Sequence, residues 1–270
     1  MTSPPELNTL RIEIDDEIAT LTLDRPDAFN AMSPELIGEL TVAMAWLADQ
    51  GEFRALIITG AGKAFCAGGD VNWFRKGIED PDLDISADVR RGAEALHTAI
   101  IDLRRIEQPV IAAVNGPAAG AGFSLALACD FRISAASAFF APAYGRIGAS
   151  PDGGMTYFLP RVIGPAKALE LLLEDPNLPA AGALELGLVS EVVPDEELTD
   201  RARERAAKLA RLAPHYVKMA KRLVGVSIEN SLPEHLQLER HGIADGLGTE
   251  DARQGVIAFF SGEKPEFHGR

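Results

Sequence analysis

Residues 109–131 read PVIAAVNGPAAGAGFSLALACDF. The run is mostly apolar and long enough to suggest a membrane span. Asn115, Gly116 and Pro117 interrupt it midway, and small residues dominate its second half. A buried strand (VIAAVNG), a tight loop and a buried small-residue helix (GAGFSLALACD) account for it better. An earlier passage repeats the design: ALIITGAGKAFCAGGDVNWF, residues 55–74. There too a buried strand runs into a loop of Gly and Ala, and a helix comes next. A helix N-terminus offers unpaired N–H groups and a positive dipole end. Small residues let a ligand approach that backbone closely. Two such amides aimed at one point would hold a developing oxyanion.

Nucleotide motifs compete for the same glycines and fail. TGAGKAF has no Ser or Thr after Lys63, and Ile57 stands where a phosphate loop needs its first glycine. GPAAGAG does not give GxGxxG, so a dinucleotide loop is unsupported. Tight turns with close helix–sheet packing explain either loop alone; both loops in this order point further.

Outward from these loops, LRIEI and EIATLTLDR alternate around DDE and read as a hairpin with one buried face. SPELIGELTVAMAWLADQG opens with Ser33 as N-cap and Pro34 at the first helical position, and closes at Gly51. Residues 82–107 read as one long helix, and FRISA and AFFAP as short strands. From Pro165 helical patterns succeed one another: 165–173, 179–187, 195–212, 214–226, 232–247 and 249–260. Only LVSEVV interrupts them. Strand–helix units over the first two-thirds favour an α/β fold with a largely parallel sheet, succeeded by a helical region.

The 270 residues, 47% hydrophobic, suffice for one sizeable core. A net charge of −14 without a basic cluster argues against nucleic acid and anionic membranes as partners. Cys66 and Cys129 lie in apolar runs with no CxxC pair, so neither a disulfide framework nor a zinc site is expected. MTSPPELNTLRIEIDDE shows no signal peptide, and a reducing cytoplasm fits.

The stretches RPDAFNAMSPEL, LIITGAGKAFCAGGDV, PVIAAVNGPAAGAGFSLALACDFRISA, GASPDGG, LPRVIGPAKALELLL and ALELGLVSEVVP resemble the crotonase superfamily, the enoyl-CoA hydratase/isomerase family. The likeness covers nearly the whole chain in order, through AFFSGEKPEFHGR. It implies a spiral of ββα units over 1–200 that binds acyl-CoA, and a C-terminal helical trimerisation region over 201–270. It implies a homotrimer, often paired into a hexamer. It implies acyl-CoA thioester ligands, with coenzyme A as part of the substrate, no bound cofactor and no metal. The family's oxyanion amides fall on Gly69 and Ala121. Ala31, Ala67, Gly68, Asp70, Val71 and Gly120 fall along the family's CoA groove. Lys264 and Phe260 fall in the tail that often reaches a neighbouring subunit's CoA.

The resemblance also shows where this chain departs. The family's hydratases hold a water between two glutamates. Here the first position is Ser124; the second is Ala143, or Tyr144 if the alignment slips by one. Neither is a carboxylate, so a two-glutamate hydratase is not expected. Asp152, in ASPDGGMTYF, stands where several isomerases of the superfamily carry an acid/base aspartate. One carboxylate between two carbons can remove a proton from one and return it to the other. Asp152 also has the shape of a helix N-cap, and the two roles are compatible. His97 aligns with the base histidine of the family's chlorobenzoyl-CoA dehalogenases, in which an aspartate at the Asp152 position is the nucleophile. Those enzymes carry Trp where this chain has Tyr144, and a lone helical His is usually structural. Asp70 reads as a helix cap, Glu107 as a solvated helix end, and Cys66 as a small core residue. Tyr144 could donate a hydrogen bond into the acyl pocket, and residues 72–95 would shape that pocket. The expectation is an enoyl-CoA isomerase. The rival readings are a hydratase, a dehalogenase-like or thioesterase-like hydrolase using Asp152 and His97, and a non-catalytic acyl-CoA binder.

Overall fold

Asp16 and Glu17 both take positive φ, 49° and 62°. Two left-handed residues in succession match the right-handed twist of the strands they join. They connect β1 (Leu10–Asp15) to β2 (Ile18–Leu23) as an antiparallel hairpin. β1 has one exposed face, whereas β2 is buried on both, because β2 is the strand that continues into the sheet. The computed structural model describes residues 4–49 and 52–269.

Ser33 Oγ accepts the Leu36 N–H at 3.2 Å and caps α1 (Pro34–Asp49), as its sequence predicts. The expected stop at Gly51 lies outside the described residues. β3 (Ala55–Gly60) then pairs with β2 in parallel. The segment expected as one helix over 82–107 has a forerunner: α2 (Val71–Glu79) precedes α3 (Ile85–Arg105), and Asp84 caps the second. Next come β4 (Val110–Val114), β5 (Ala118–Ala119) and α4 (Ala121–Ala128). Every residue of α4 is buried. A helix apolar all round belongs in a core, and this one sits inside the protein. Among the described residues no helix is long and apolar enough to cross a membrane.

β6 (Phe131–Ala135), β7 (Phe139–Ala141), α5 (Met155–Ile163), α6 (Pro165–Glu174), β8 (Leu178–Pro179), α7 (Ala180–Glu185) and β9 (Glu191–Val193) complete the strand-bearing part. Six strands form one sheet in the order β1-β2-β3-β4-β6-β9, parallel apart from the hairpin. A second, three-stranded sheet has the order β5-β7-β8. Helices α8 (Leu198–Ala210), α9 (Pro214–Val226), α10 (Leu232–Leu247) and α11 (Glu250–Ser261) come last. α8 buries Leu198, Ala202 and Ala206 in the core. α9 is tied down by Lys221, whose Nζ donates to the carbonyls of Ile106 (2.7 Å) and Gln108 (2.5 Å) and meets Asp130 at 2.7 Å. An ammonium this enclosed needs such partners, since removing them would strand a buried charge. Asp251, 2% exposed, accepts the N–H groups of His268 and Gly269 and so pins the tail.

Candidate functional site

The two glycine-rich loops lie side by side because single hydrogen-bond pairs stitch them into a layer. Cys66 N–H donates to Pro117 O (3.1 Å), and Ala119 N–H donates to Cys66 O (2.9 Å). On the far side, Met32 N–H donates to Gly68 O (2.7 Å) and Asp70 N–H to Met32 O (3.2 Å). Met32 thus takes its bonds from residues 68 and 70, and Gly69 between them turns its N–H the other way. On the near side Gly120 N–H donates to Ala141 O (3.0 Å). The packing demands glycine. Gly68 sits at φ 95°, and a Cβ there would lie 2.8 Å from Ala119 O and 3.4 Å from Gly120 Cα.

Ala121 opens α4, so its N–H lacks an intrahelical partner. Gly120 O accepts both the Ser124 N–H (3.0 Å) and the Ser124 hydroxyl (3.3 Å). This fixes the peptide that joins Gly120 to Ala121. In a trans peptide the N–H points opposite the carbonyl, so the Ala121 N–H faces away from the helix body. Among the described residues neither the Gly69 nor the Ala121 N–H donates to another backbone group. Two unspent amides, each next to a glycine whose backbone touches the other's, are what a developing oxyanion requires.

Asn30, which gave no motif in the sequence, organises the first loop. It is fully buried, with φ 56°, a conformation asparagine tolerates. Its Oδ1 accepts the Arg25 N–H (2.9 Å), and its Nδ2 donates to the carbonyls of Ala61 (2.9 Å) and Ala64 (2.8 Å). Its own carbonyl accepts the Cys66 thiol at 3.0 Å. The signal was visible: a polar Asn inside RPDAFNAM, between Phe29 and Ala31, needs such partners. Burial pushes the Cys66 thiol up to about 12, so it is a core residue and not a nucleophile. Asp70 caps α2, its Oδ1 accepting from Asn72 N (3.1 Å) and Trp73 N (3.4 Å), as expected. Of the remaining groove candidates, Ala67 and Val71 are exposed, Ala31 is half-buried, and Gly68 and Gly120 are buried. Glu107 is exposed and pairs with Lys218 at 2.6 Å.

Asp152 stands opposite α4 and is held by its backbone. Its carbonyl accepts the Ser124 hydroxyl (2.8 Å), the Tyr144 hydroxyl (3.0 Å) and the Met155 N–H (3.2 Å). Burial is the main cause that pushes Tyr144 up to about 12, so it remains a neutral donor. The hydroxyls of Ser124 and Tyr144 thus both grip the Asp152 peptide, and neither they nor Ala143 supplies a carboxylate there. Ala143 takes φ 62° and donates its N–H to Asp175 Oδ1 at 2.7 Å.

Asp152 does not cap α5, against the expectation from its sequence. Gly153 and Gly154 take positive φ, 62° and 80°, and the helix begins only at Met155, with Gly154 in the cap position and no side-chain cap. The two left-handed residues carry the Asp152 side chain away from the helix end. Its Oδ1 meets His97 Nε2 at 2.5 Å instead. His97 reaches it from α3, and its side chain is 50% exposed. A groove between α3, α5 and α9 has His97, Ile101, Gly153, Phe158 and Val217 in its walls. Among the described residues no cluster of three His, Cys, Asp or Glu is placed to hold a metal ion.

Comparison with known proteins gives the family. A probable enoyl-CoA hydratase of Rhodobacter capsulatus is 40% identical over 97% of this chain and 99% of its own. The 1,2-epoxyphenylacetyl-CoA isomerase of Escherichia coli is 37% identical over 95% of this chain and 97% of its own. The crystal structure of a putative enoyl-CoA hydratase from Streptomyces coelicolor superposes with a TM-score of 0.92 at 33% identity, covering all of this chain and 98% of that one. Residues 13–270 match the family described as enoyl-CoA hydratase/isomerase. With the crotonase fold, the paired glycine loops and a match over nearly its full length, the chain belongs to the enoyl-CoA hydratase/isomerase family.

Proposed function

We propose that this chain is an acyl-CoA isomerase. It shifts a double bond in an enoyl-CoA, or rearranges a related ring or epoxide CoA ester. The Gly69 and Ala121 amides receive charge on the thioester oxygen as the α-proton leaves. Asp152 takes that proton and returns it to a nearby carbon, so the substrate gains and loses nothing overall. The observation that carries this reading is that the hydroxyls of Ser124 and Tyr144 grip the Asp152 carbonyl, while Ser124, Ala143 and Tyr144 leave no carboxylate at the positions expected for a hydratase's two glutamates. The isomerase relative from Escherichia coli supports it. The relatives named as hydratases keep hydration as the rival.

The test uses the absorbance of the conjugated enoyl thioester. With a 3-enoyl-CoA the absorbance is expected to rise. With a trans-2-enoyl-CoA a fall, and no rise in the first cuvette, would mean hydration and end the single-aspartate reading. Silence in both would favour hydrolysis or a binder. The hydrolytic reading has its own observation: His97 Nε2 lies 2.5 Å from Asp152 Oδ1, as a nucleophile–base pair would require. His97→Gln separates the two. Hydrolysis needs the imidazole to activate water, whereas the isomerase proton cycle can run on Asp152 alone.

The active form is a homotrimer, or a hexamer of paired trimers, assembled through the helical region 201–270. Val224, Leu232, Ile243, Leu247 and Phe260 on these helices, and Ile228 between α9 and α10, are each more than 60% exposed in the single chain. Apolar surface of that extent is typical of a subunit contact. Light scattering on the purified protein is expected to give three or six times the 28.8 kDa chain mass. A monomer at micromolar concentration would refute the assembly. In such an assembly, the exposed Lys264 and Phe260 are the tail residues expected to approach a neighbour's CoA.

A further inference from the structure

We propose that Arg25 positions and polarises the Gly69 amide through two intervening peptide groups. The inference rests on the oxyanion-hole reading of Gly69 and Ala121. Arg25 lies just beyond β2, with its own N–H held by Asn30 Oδ1 at 2.9 Å. Its guanidinium is shared between two strands of the loop layer. Nη1 donates to the Ala31 carbonyl, and Nη1 and Nη2 meet Asp70 Oδ2 at 3.3 and 3.2 Å.

The Ala31 carbonyl belongs to the same peptide as the Met32 N–H. That N–H donates to Gly68 O at 2.7 Å, and Gly68 O belongs to the same peptide as the Gly69 N–H. A cation therefore stands at the head of two peptides in series, with the Gly69 N–H at the far end. Each hydrogen bond polarises the next in such a chain, and the strengthening is on the order of 10–30% per bond. The chain also sets direction, because fixing each carbonyl fixes the N–H of the same planar unit.

Asp70 closes the arrangement from the other side. One of its oxygens takes Arg25, and the other caps α2 directly after the Gly69 loop. Gly69 has no side chain with which to anchor itself, and the Phe74 ring lies where a Cβ would be, 2.8 Å away. Its orientation must come from its neighbours. The side chains of Arg25 and Asp70 are only 24% and 13% exposed, so the pair is not a solvated surface contact. A lysine could reach one acceptor; the planar fork reaches both.

The polarisation can be read without turnover. Hexanoyl-CoA carrying ¹³C at its thioester carbonyl is bound to the full-length protein, and isotope-edited infrared difference spectra give the carbonyl stretch. The wild type is expected to shift it to lower frequency. Arg25→Met is expected to lose part of that shift and to lower kcat about tenfold with little change in KM. Arg25→Lys should fall between. Asp70→Asn keeps the helix cap and the Ala31 contact, so it should retain more of the shift than Arg25→Met. Should Arg25→Met fail to fold, the Lys and Asn variants carry the comparison. A full shift and unchanged kcat in Arg25→Met or Arg25→Lys, with only the melting temperature lowered, would reduce Arg25 to a structural role. No shift in the wild type itself would overturn the oxyanion hole together with this proposal, whereas a wild-type shift that survives in the variants overturns this proposal alone.

Discussion

Asp152→Asn is expected to lower turnover of a 3-enoyl-CoA by about 10²–10⁴-fold, the range that positioned acid–base groups supply. Binding of a saturated acyl-CoA should change little. The expectation follows from how Asp152 is held. Ser124, Tyr144 and Met155 all bond its peptide carbonyl, and none of them touches its carboxylate. The amide replacement therefore keeps these three bonds to the loop and removes the carboxylate that can take a proton, together with its charge opposite His97. Steady-state absorbance gives the rate and calorimetry gives the affinity. Turnover within about tenfold of the wild type would exclude Asp152 as the proton carrier. A loss of affinity as large as the loss of rate would make it a binding residue.

Gly122→Ala should be as damaging by a different route. An added Cβ would lie 2.2 Å from Cys66 O, 2.6 Å from Cys66 Cβ and 2.8 Å from its carbonyl carbon. Two of these are backbone atoms that cannot swing aside, so the loops must separate. Overpacking a close-packed interior costs about 1–3 kcal/mol and occasionally more, and this backbone clash belongs at the upper end. Because residues 66 and 118 tie the two amide-bearing loops together, the displacement should also reduce turnover about 10²-fold. Gly38→Ala is the control. It lies on the exposed side of α1 with nothing within 4 Å of the new Cβ, and should raise stability by about 0.5–1 kcal/mol. Urea unfolding of both variants measures the contrast. Equal midpoints would mean that the two loops are not in rigid contact.

Much of this arrangement was legible from sequence because it is local. The strand–loop–helix passages, the Ser33 and Asp70 caps and the buried Cys66 all derive from neighbours a few residues apart. The second sheet was not legible, since β5 and β8 have two residues each and no period can be read from two residues. The Asp152 cap was misread because two glycines in left-handed conformation postpone the helix, and spacing alone cannot report the sign of φ. His97 with Asp152, and Arg25 with Asp70, join residues 55 and 45 apart. Only the tertiary fold brings them together, so the spacing of the sequence left His97 a lone histidine, paired with Asp152 by resemblance alone, and Arg25 gave no signal.

On the proposed function, the charge-receiving side of the site is main chain, whereas the proton carrier is one side chain, Asp152, held by hydroxyls at 124 and 144 and facing His97. Substitutions other than to proline rewrite side chains and leave peptide N–H groups in place. On that reading, substitution at a few side chains would exchange one reaction for another without moving the two amides. The ladder pair between Cys66 and Ala118, whose bonds are all main chain, would hold the amides in register through such changes.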